Sequence, residues 1–243
     1  FFSYIEKKLY SSSDIIGIEA KSDLSYFNEY GLNKEIIIEV LNNWGTPIIK
    51  DEITDSLKIF DIKKVNIVYG GNMGDAQDLL SLLNIIDLEI LDSRAIITLM
   101  GSGNQFSAIR DKIIRDKITN IVLLPPVNFD EYLSALSDAD VGLVSLGSQM
   151  LSNNYPLKMI GYMQHGKPIL ASVNKNNEII KTINENNIGL VSIASDAKKF
   201  NENLDTMITQ ESVRVNQGIN SLKLFNDQYT VSVAVKQICG HFL

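Results

Sequence analysis

A lysine at the predicted start of a short helix is the residue best suited to bind an anion in this chain. In "NNYPLKMIGYMQHGKPIL", Pro156 fits a first helical turn, where its missing N–H costs no hydrogen bond, and Gly166 fits the position just past the helix end. Leu157 and Lys158 would bring free backbone N–H groups and an ammonium group together, an arrangement that suits a diphosphate. From spacing alone, a solvated surface lysine is an equally good interpretation of Lys158.

A glycine-rich turn, "YGGNMGDAQDL" (69–79), follows the first strand of the predicted main domain. Three glycines in five residues allow the backbone to approach a ligand closely, and the next helix would offer N–H groups to an anion. The alternative is a tight strand-to-helix turn in which Asp75 and Asp78 complement the helix dipole. Because these carboxylates would also repel a phosphate, the pattern leaves both interpretations open.

Two further patterns indicate structure rather than chemistry. "GSGNQF" (101–106) has two glycines of a dinucleotide fingerprint, but Phe106 replaces the third and no acidic residue ends the next strand. An NAD-dependent dehydrogenase is therefore disfavoured. Asp138 and Asp140 precede a strand, so we expect them at the end of the sheet opposite the ligand edge, away from any metal site.

These residues belong to a regular alternation of strands and helices that begins at Val65. Continuous apolar strands separated by helices of about 10–15 residues predict a parallel sheet covered on both faces, with right-handed crossovers. The predicted strands are "VNIVY", "AIITLM", "NIVLL", "VGLVSL", "PILASV" and "IGLVSI", and the predicted helices lie near 75–90, 105–116, 129–138, 157–165, 176–186 and 196–208. One or two more helices are predicted from Glu211 onward. The predicted fold class is α/β, a doubly wound Rossmann-like parallel sheet with part of a second α/β domain.

The first part of the chain is predicted to be the end of another domain. Residues 1–46 contain two strands, in "DIIGIEA" and "IIIEVLNNW", and two helices, too little to cover both faces of a sheet. Because the chain starts Phe-Phe rather than Met, we expect a fragment that lacks most of an N-terminal domain. We predict a linker over 47–62, a ligand-binding domain over 63–225, and a C-terminal helix over 226–243 that packs toward the N-terminal domain.

Composition argues against several classes of function. The chain has 243 residues, a formal net charge of −7 and no basic run, so a nucleic-acid partner is not expected. No apolar run reaches the roughly 18 residues that span a bilayer, and no signal-peptide pattern is visible. The single cysteine, Cys239, cannot form an internal disulfide, which is compatible with the cytoplasm. His165 and His241 are isolated from any metal-ligand set.

Three stretches resemble one enzyme family. "PLKMIGYMQHGKPILAS" resembles the P-S-K-x-x-E-Y-M-A-x-G-K-P-V-I-A segment in the nucleotide-sugar-binding domain of GT-B-fold glycosyltransferases, family 4. "VYGGNMGDAQDL" resembles the Y-x-G-N-x-G-x-x-Q-x-L opening of that domain in O-antigen and capsule sugar transferases, including N-acetylfucosamine transferases. "IEVLNNWG" resembles the V-x-V-x-P-N-W run that closes their N-terminal domain. The resemblance implies two facing Rossmann-like domains with the donor bound in the cleft, mostly by the C-terminal one.

The resemblance also implies where the donor binds. By position, phosphate contacts fall on the glycine turn and the helix start, base contacts on the turn after the third strand, and further donor contacts on the polar loop before the helix. The phosphate contacts are Gly71, Asn72 and Gly74 in the glycine turn and Leu157 and Lys158 at the helix start. The base contacts are Pro126 and Val127, and the further donor contacts are Asn153, Asn154 and Tyr155. The catalytic residues are not identified, and part of them is expected in the missing N-terminal domain.

The chain departs from the family pattern at three points. A usual pair of glutamates that contact the donor sugar and the ribose falls on Asn153 and Gly161, of which only Asn153 can hydrogen-bond a sugar. The usual Arg and Lys of the glycine turn fall on Asn72 and Gln77, so phosphate neutralisation would depend on Lys158 and helix dipoles. We expect most of the N-terminal domain, and the acceptor site with it, to be absent from this chain.

The expected function is transfer of a sugar from a nucleotide-diphosphate donor, UDP-linked in our prediction, to a surface-polysaccharide precursor on a lipid carrier. Metal independence and the absence of a cofactor are expected, and retaining stereochemistry is implied by the family. We expect a cytoplasmic protein, with peripheral association at the inner face of the plasma membrane through the missing domain. The alternatives are a UDP-sugar 2-epimerase and a noncatalytic nucleotide- or sugar-binding α/β protein.

Overall fold

The computed structural model describes residues 2–29, 36–48, 60–150 and 155–242. The first part of the chain folds into α1 (Phe2–Ser11), β1 (Ile15–Ile18), a 3₁₀ turn (Lys21–Asp23), α2 (Leu24–Glu29) and β2 (Ile37–Val40). The main body then consists of β3 (Val65–Asn72), α3 (Leu79–Ile85), α4 (Leu88–Leu91), β4 (Ala95–Ser102), α5 (Phe106–Arg115), β5 (Ile121–Leu124), α6 (Phe129–Asp138), β6 (Val141–Ser145), α7 (Lys158–Gln164), β7 (Ile169–Val173), α8 (Ile179–Asn186), β8 (Gly189–Ile193), α9 (Ala197–Thr209), α10 (Glu211–Gln228) and α11 (Val231–Cys239).

The strands described in the main body form a six-stranded parallel sheet with the order β5-β4-β3-β6-β7-β8. The chain winds outward from β3 through β4 to β5, returns to the centre, and winds the other way from β6 through β7 to β8. In such sheets ligands bind beyond the carboxyl ends of the strands where the winding reverses, here at the ends of β3 and β6. The predicted doubly wound α/β class is confirmed.

Two apolar clusters cover the two faces of this sheet. In β3, Ile67 and Tyr69 belong to one cluster and Val68 to the other, as the alternation of side chains along a strand requires. α7 packs into the second cluster, where the Tyr162 hydroxyl donates to the carbonyl groups of Val68 and Leu143. Burial on both faces explains why these strands are continuous apolar runs in the sequence.

β1 and β2 pair in parallel as a separate two-stranded sheet that the C-terminal helices join to the main body. The Gly45 N–H donates to the Tyr229 carbonyl at 2.8 Å, at the turn between α10 and α11. In α11, Gln237 Nε2 donates to Glu39 Oε1 at 2.8 Å. These bonds hold the first part of the chain against the C-terminal helices. The domain bounds remain predictions, and most of the linker predicted over 47–62 lies outside the described residues.

The helix predicted over 75–90 differs from the structure in its start and its continuity. Asp78 has a left-handed backbone with φ of 46°, so a turn precedes the helix, which begins only at Leu79. A second break before Leu88 divides the segment into α3 and α4. The segment from Glu211 onward contains two helices in the described residues, α10 and α11, and Thr230 lies between them as the N-cap of α11.

Candidate functional site

A cavity of about 1020 Å³ lies at the carboxyl ends of the strands. Turns after β3, β4 and β5 and the start of α7 line it, together with residues from the first part of the chain. Of the predicted site residues, those that line the cavity are Gly71, Asn72, Pro126, Val127, Tyr155, Leu157 and Lys158. Gly74 is not among the lining residues, and Asn153 and Asn154 lie outside the described part of the chain.

Lys158 supplies the positive charge of this cavity. Its Nζ atom lies 4.0 Å from the centroid of the Tyr69 ring, and the Tyr69 hydroxyl donates to the carbonyl of Asn72. Among the described residues, no carboxylate lies within 4.0 Å of Lys158 Nζ. Burial lowers the pKa of Lys158 from its ordinary value of 10.5 to about 8. The structure therefore favours a partly buried cation open to an anionic ligand over a solvated surface lysine.

Glycines allow the turns after β3 and β4 to lie side by side at the cavity. Gly71 has φ of +127°, and a Cβ atom there would come within 3.8 Å of Lys158 Nζ. Gly101 has φ of +148°, and a Cβ atom there would collide with the carbonyl oxygen of Gly71. The glycines of 101–106 thus serve close packing of two strand ends, in agreement with the structural interpretation of that pattern.

The first glycine turn uses many of its polar groups internally. Gln77 Oε1 accepts hydrogen bonds from Asn72 Nδ2 at 3.0 Å and from the Gly74 N–H at 3.3 Å. In the first turn of α3, the Leu80 N–H donates to Gln105 Oε1 at 3.1 Å. The expectation that this helix offers its N–H groups to an anion is therefore not met at Leu80. Asn72 and Gln77 still line the cavity.

Pro126 and Val127 line the cavity at the end of β5, two strands away from β3. The next residues form a capping box, in which Asn128 Oδ1 accepts from the Glu131 N–H and the Asn128 N–H donates to Glu131 Oε2, both at 2.9 Å. This cap fixes the turn, and Phe129 stands 71% exposed at the cavity edge. An exposed ring beside extended backbone is suited to a flat heterocycle.

Tyr155 supports the segment that leads to Lys158. Its side chain is buried, its hydroxyl lies 2.7 Å from the Tyr229 hydroxyl, and the two rings stack with their centroids 6.0 Å apart. Its polar group is therefore used within the protein, although the residue lines the cavity. Leu157, by contrast, is 65% exposed.

α7 ends as its sequence predicted, and its polar residue has a partner. Gly166 has φ of +62°, and its N–H donates to the Met163 carbonyl at 3.0 Å, which closes the last turn. Gln164, which interrupts the apolar stripe of this helix, donates from Nε2 to the Thr46 carbonyl. It therefore connects α7 to the first part of the chain.

At Gly161 there is little room for the glutamate of the family pattern. Gly161 lines the cavity, but a Cβ atom there would lie 3.2 Å from Leu136 Cδ1. A larger side chain would require Leu136 to move. Nearby, the Tyr132 ring packs directly on Gly70, where a Cβ atom would collide with it. Aromatic and aliphatic groups occupy this side of the cavity instead of a carboxylate.

The other acidic residues singled out in the sequence lie outside the cavity. Asp140 Oδ2 accepts from the Asn66 N–H at 2.8 Å, near the start of β3 and at the opposite end of the sheet, as predicted. Asp75 and Asp78 accept hydrogen bonds from Gln105 Nε2. Within the described ranges, no three His, Cys, Asp or Glu side chains come together as a metal site would require, and no helix is long and apolar enough to cross a membrane.

Two lining residues from the first part of the chain were not predicted. Glu19 follows β1 and Trp44 follows β2, and both are exposed where they line the cavity. Trp44 lies inside the "IEVLNNWG" stretch that carries the resemblance, so its position could have drawn attention to it. A lone glutamate after a short strand carries no comparable signal in the sequence.

Comparison with known sequences gives one curated relative. No protein-family model matches the chain. The chain is 25% identical over 194 residues to WbjE of Pseudomonas aeruginosa, described as a probable glycosyltransferase. The match covers 77% of this chain and 47% of WbjE, so the chain corresponds to about half the length of that relative.

Solved structures share the fold at low sequence identity. A variant of S. aureus TarM, in complex with fondaparinux, α-GlcNAc-glycerol and UDP, has a TM-score of 0.73 and 14% identity, with coverage of 98% of this chain and 46% of TarM. Anabaena HepE in complex with UDP and glucose has a TM-score of 0.73 and 11% identity, with coverage of 99% and 66%. WaaG, described as a glycosyltransferase involved in lipopolysaccharide biosynthesis, has a TM-score of 0.67 and 14% identity, with coverage of 92% and 61%. The chain has the α/β architecture of GT-B glycosyltransferase structures.

Proposed function

We propose that this chain is the donor-binding part of a glycosyltransferase that uses a nucleotide-diphosphate sugar, UDP-linked in our proposal. The observation that carries the proposal is the Lys158 ammonium, which lines a cavity at the switch point of the sheet with no acidic partner among the described residues. A partly buried, unpaired cation favours an anionic ligand. The curated relative and the shared fold support glycosyl transfer as the reaction.

We assign two parts of the donor to groups that line the cavity. The base would lie at Pro126 and Val127, and the diphosphate at Gly71 and Lys158. As the glycosidic bond breaks, negative charge grows on the leaving diphosphate, and a fixed ammonium group stabilises that charge without reorganisation. We propose that the Lys158 ammonium group takes the place of a metal ion, so that the transfer is metal-independent and needs no resident cofactor.

The acceptor we propose is a surface-polysaccharide precursor on a lipid carrier. Support comes from the involvement of WaaG in lipopolysaccharide biosynthesis and from the glycosyltransferase description of WbjE. The O-antigen, capsule and N-acetylfucosamine assignments, and the family 4 assignment, rest on the resemblance of the sequence stretches. Action in the cytoplasm, with peripheral association at the inner membrane face, belongs to the same proposal.

The proposal is tested by thermal unfolding of the chain with UDP, GDP, ADP and NAD. A ligand at about 100 times its dissociation constant adds about 2.7 kcal/mol to the free energy of unfolding, which is readily seen. We expect stabilisation by UDP and its reduction to about 0.4–1.4 kcal/mol in Lys158→Met at the same UDP concentration, as for an affinity that is 10- to 100-fold weaker. Lys167→Met is the matched control, because this lysine follows the other end of α7 and donates from Nζ to the Ser137 carbonyl. Stabilisation by NAD alone, or equal UDP stabilisation of the Lys158→Met chain, would contradict the proposal.

The alternatives are less well supported by the cavity. A UDP-sugar 2-epimerase requires groups that move protons at the sugar, whereas one carboxylate and no imidazole lie among the described lining residues. Incubation of the full-length protein with a UDP-sugar and a lipid-linked saccharide distinguishes the three functions. Transfer supports the proposal, an epimerised donor supports the epimerase, and binding without turnover supports a noncatalytic protein.

A further inference from the structure

One carboxylate reaches the cavity from the first part of the chain. Glu19 is the only acidic residue and Lys158 the only basic residue among the described residues that line the cavity. No ion pair within 4.0 Å involves Glu19 in the described part of the chain. The cavity therefore has two separate charged points, and the one at Lys158 is accounted for by the diphosphate.

The turn that follows Glu19 is bound to the start of α8, the helix after β7. The 3₁₀ turn that begins two residues later is fixed by Glu178, which is the N-cap residue of α8, the helix after β7. The Glu178 carboxylate accepts hydrogen bonds from the Lys21 N–H at 3.2 Å, the Ser22 N–H at 2.9 Å and the Ser22 hydroxyl at 2.8 Å. This anchor gives Glu19 a defined place relative to the sheet.

That place continues the line of the donor sites. Along the sheet edge, Pro126 and Val127 follow β5, Gly71 lies in β3, Lys158 starts the helix after β6, and the turn after Glu19 is bound to the start of the helix after β7. β5 and β7 are four strand spacings apart, roughly 19 Å in all. A base, a diphosphate and a hexose joined in that order would place the hexose at the Glu19 end.

We propose that the Glu19 carboxylate binds hydroxyl groups of the transferred sugar. A carboxylate accepts several hydrogen bonds from neighbouring hydroxyl groups. Among the described lining residues, the sheet side of the cavity has no carboxylate, and position 161 is a glycine crowded by Leu136. Trp44 lines the same cavity and presents an exposed ring to an apolar sugar face. The inference rests on the proposed function, and it assigns sugar recognition to the first part of the chain.

The test compares the affinity for UDP with the affinity for UDP-hexoses by isothermal titration calorimetry. The probes are UDP, UDP-glucose, UDP-galactose, UDP-N-acetylglucosamine and UDP-N-acetylgalactosamine. We expect the unaltered chain to bind at least one UDP-hexose roughly tenfold more tightly than UDP, the effect of one charged hydrogen bond. Glu19→Ala should remove this preference. Its affinity for UDP itself should stay within about twofold of that of the unaltered chain, because UDP without a sugar would lose no charged hydrogen bond. Asp14→Asn is the control, because Asp14 directly precedes β1 whereas Glu19 directly follows it, and this variant should retain the preference for the UDP-hexose.

The outcomes separate this inference from the proposed function. Absence of UDP binding by the unaltered chain overturns both. UDP binding with no preference for any UDP-hexose overturns the role of Glu19 alone. So does a Glu19→Ala chain that keeps the preference, or one that loses affinity for UDP and UDP-hexose equally, because the residue would then act on the shape of the cavity and not on the sugar.

Discussion

Replacing Lys158 by methionine should change stability and ligand binding in opposite directions. The pKa of Lys158 is about 8 in the folded chain against an ordinary value of 10.5, which at about 1.4 kcal/mol per pKa unit is a cost of about 3 kcal/mol for the buried charge. The contact of Nζ with the Tyr69 ring returns about 0.5–2 kcal/mol of this. Methionine is also unbranched but carries no charge. We therefore expect the empty Lys158→Met chain to be about 1–2 kcal/mol more stable at pH 7.

The same substitution should weaken UDP binding by a factor of roughly 10 to 100, because a charged hydrogen bond to the diphosphate is lost. Chemical unfolding gives the first quantity and calorimetric titration with UDP gives the second.

The stability gain also has a defined pH window. The unfolded chain holds its Lys158 proton up to about pH 10.5 and the folded chain only up to about pH 8, so the unaltered protein gains stability as the pH rises between these values. The difference in the free energy of unfolding between Lys158→Met and the unaltered chain should therefore be largest below pH 8 and vanish near pH 10.5. A variant that is less stable than the unaltered chain and still binds UDP normally would refute the reasoning.

Three further predictions concern the same cavity. UDP affinity should be constant from pH 7 to about 8 and then fall as the Lys158 ammonium group deprotonates, by up to about tenfold per pH unit, and calorimetry on Lys158→Met should show no such fall. Trp44 is the single tryptophan of the chain and lines the cavity, so its fluorescence should change saturably on addition of UDP-hexose; an unchanged spectrum despite calorimetric binding would place the ligand elsewhere. Tyr155→Phe should cost about 1–3 kcal/mol by leaving the buried Tyr229 hydroxyl group without its Tyr155 partner, whereas Tyr229→Phe should cost less, because Tyr155 also hydrogen-bonds Thr182; the double variant should cost less than the sum, as measured by urea unfolding in a double-mutant cycle.

The main sheet could be predicted from the sequence because its strands are largely apolar runs that are covered on both faces. The pattern that identifies β6 and β7 also identifies the turn between them, and Pro156 and Gly166 mark the helix in that turn. The start of α3 could not be predicted in the same way. The helix is preceded by Asp78, which has a left-handed backbone and accepts a hydrogen bond from Gln105 in another part of the chain. Local propensity has no access to such a contact.

The candidate site shows the same division between local and distant contributions. Lys158 could be selected from the sequence because its position at a helix start has a chemical meaning, but its unpaired state depends on which side chains fold around it. Glu19 had no local signal at all. The role proposed for it depends on Glu178, more than 150 residues later, which binds the turn that follows Glu19. If sugar recognition depends on this long-range anchor, Glu178→Ala should reproduce the loss of sugar preference expected of Glu19→Ala while Lys158 continues to bind UDP. The two ends of the donor would then be recognised by parts of the chain that the sequence alone does not connect.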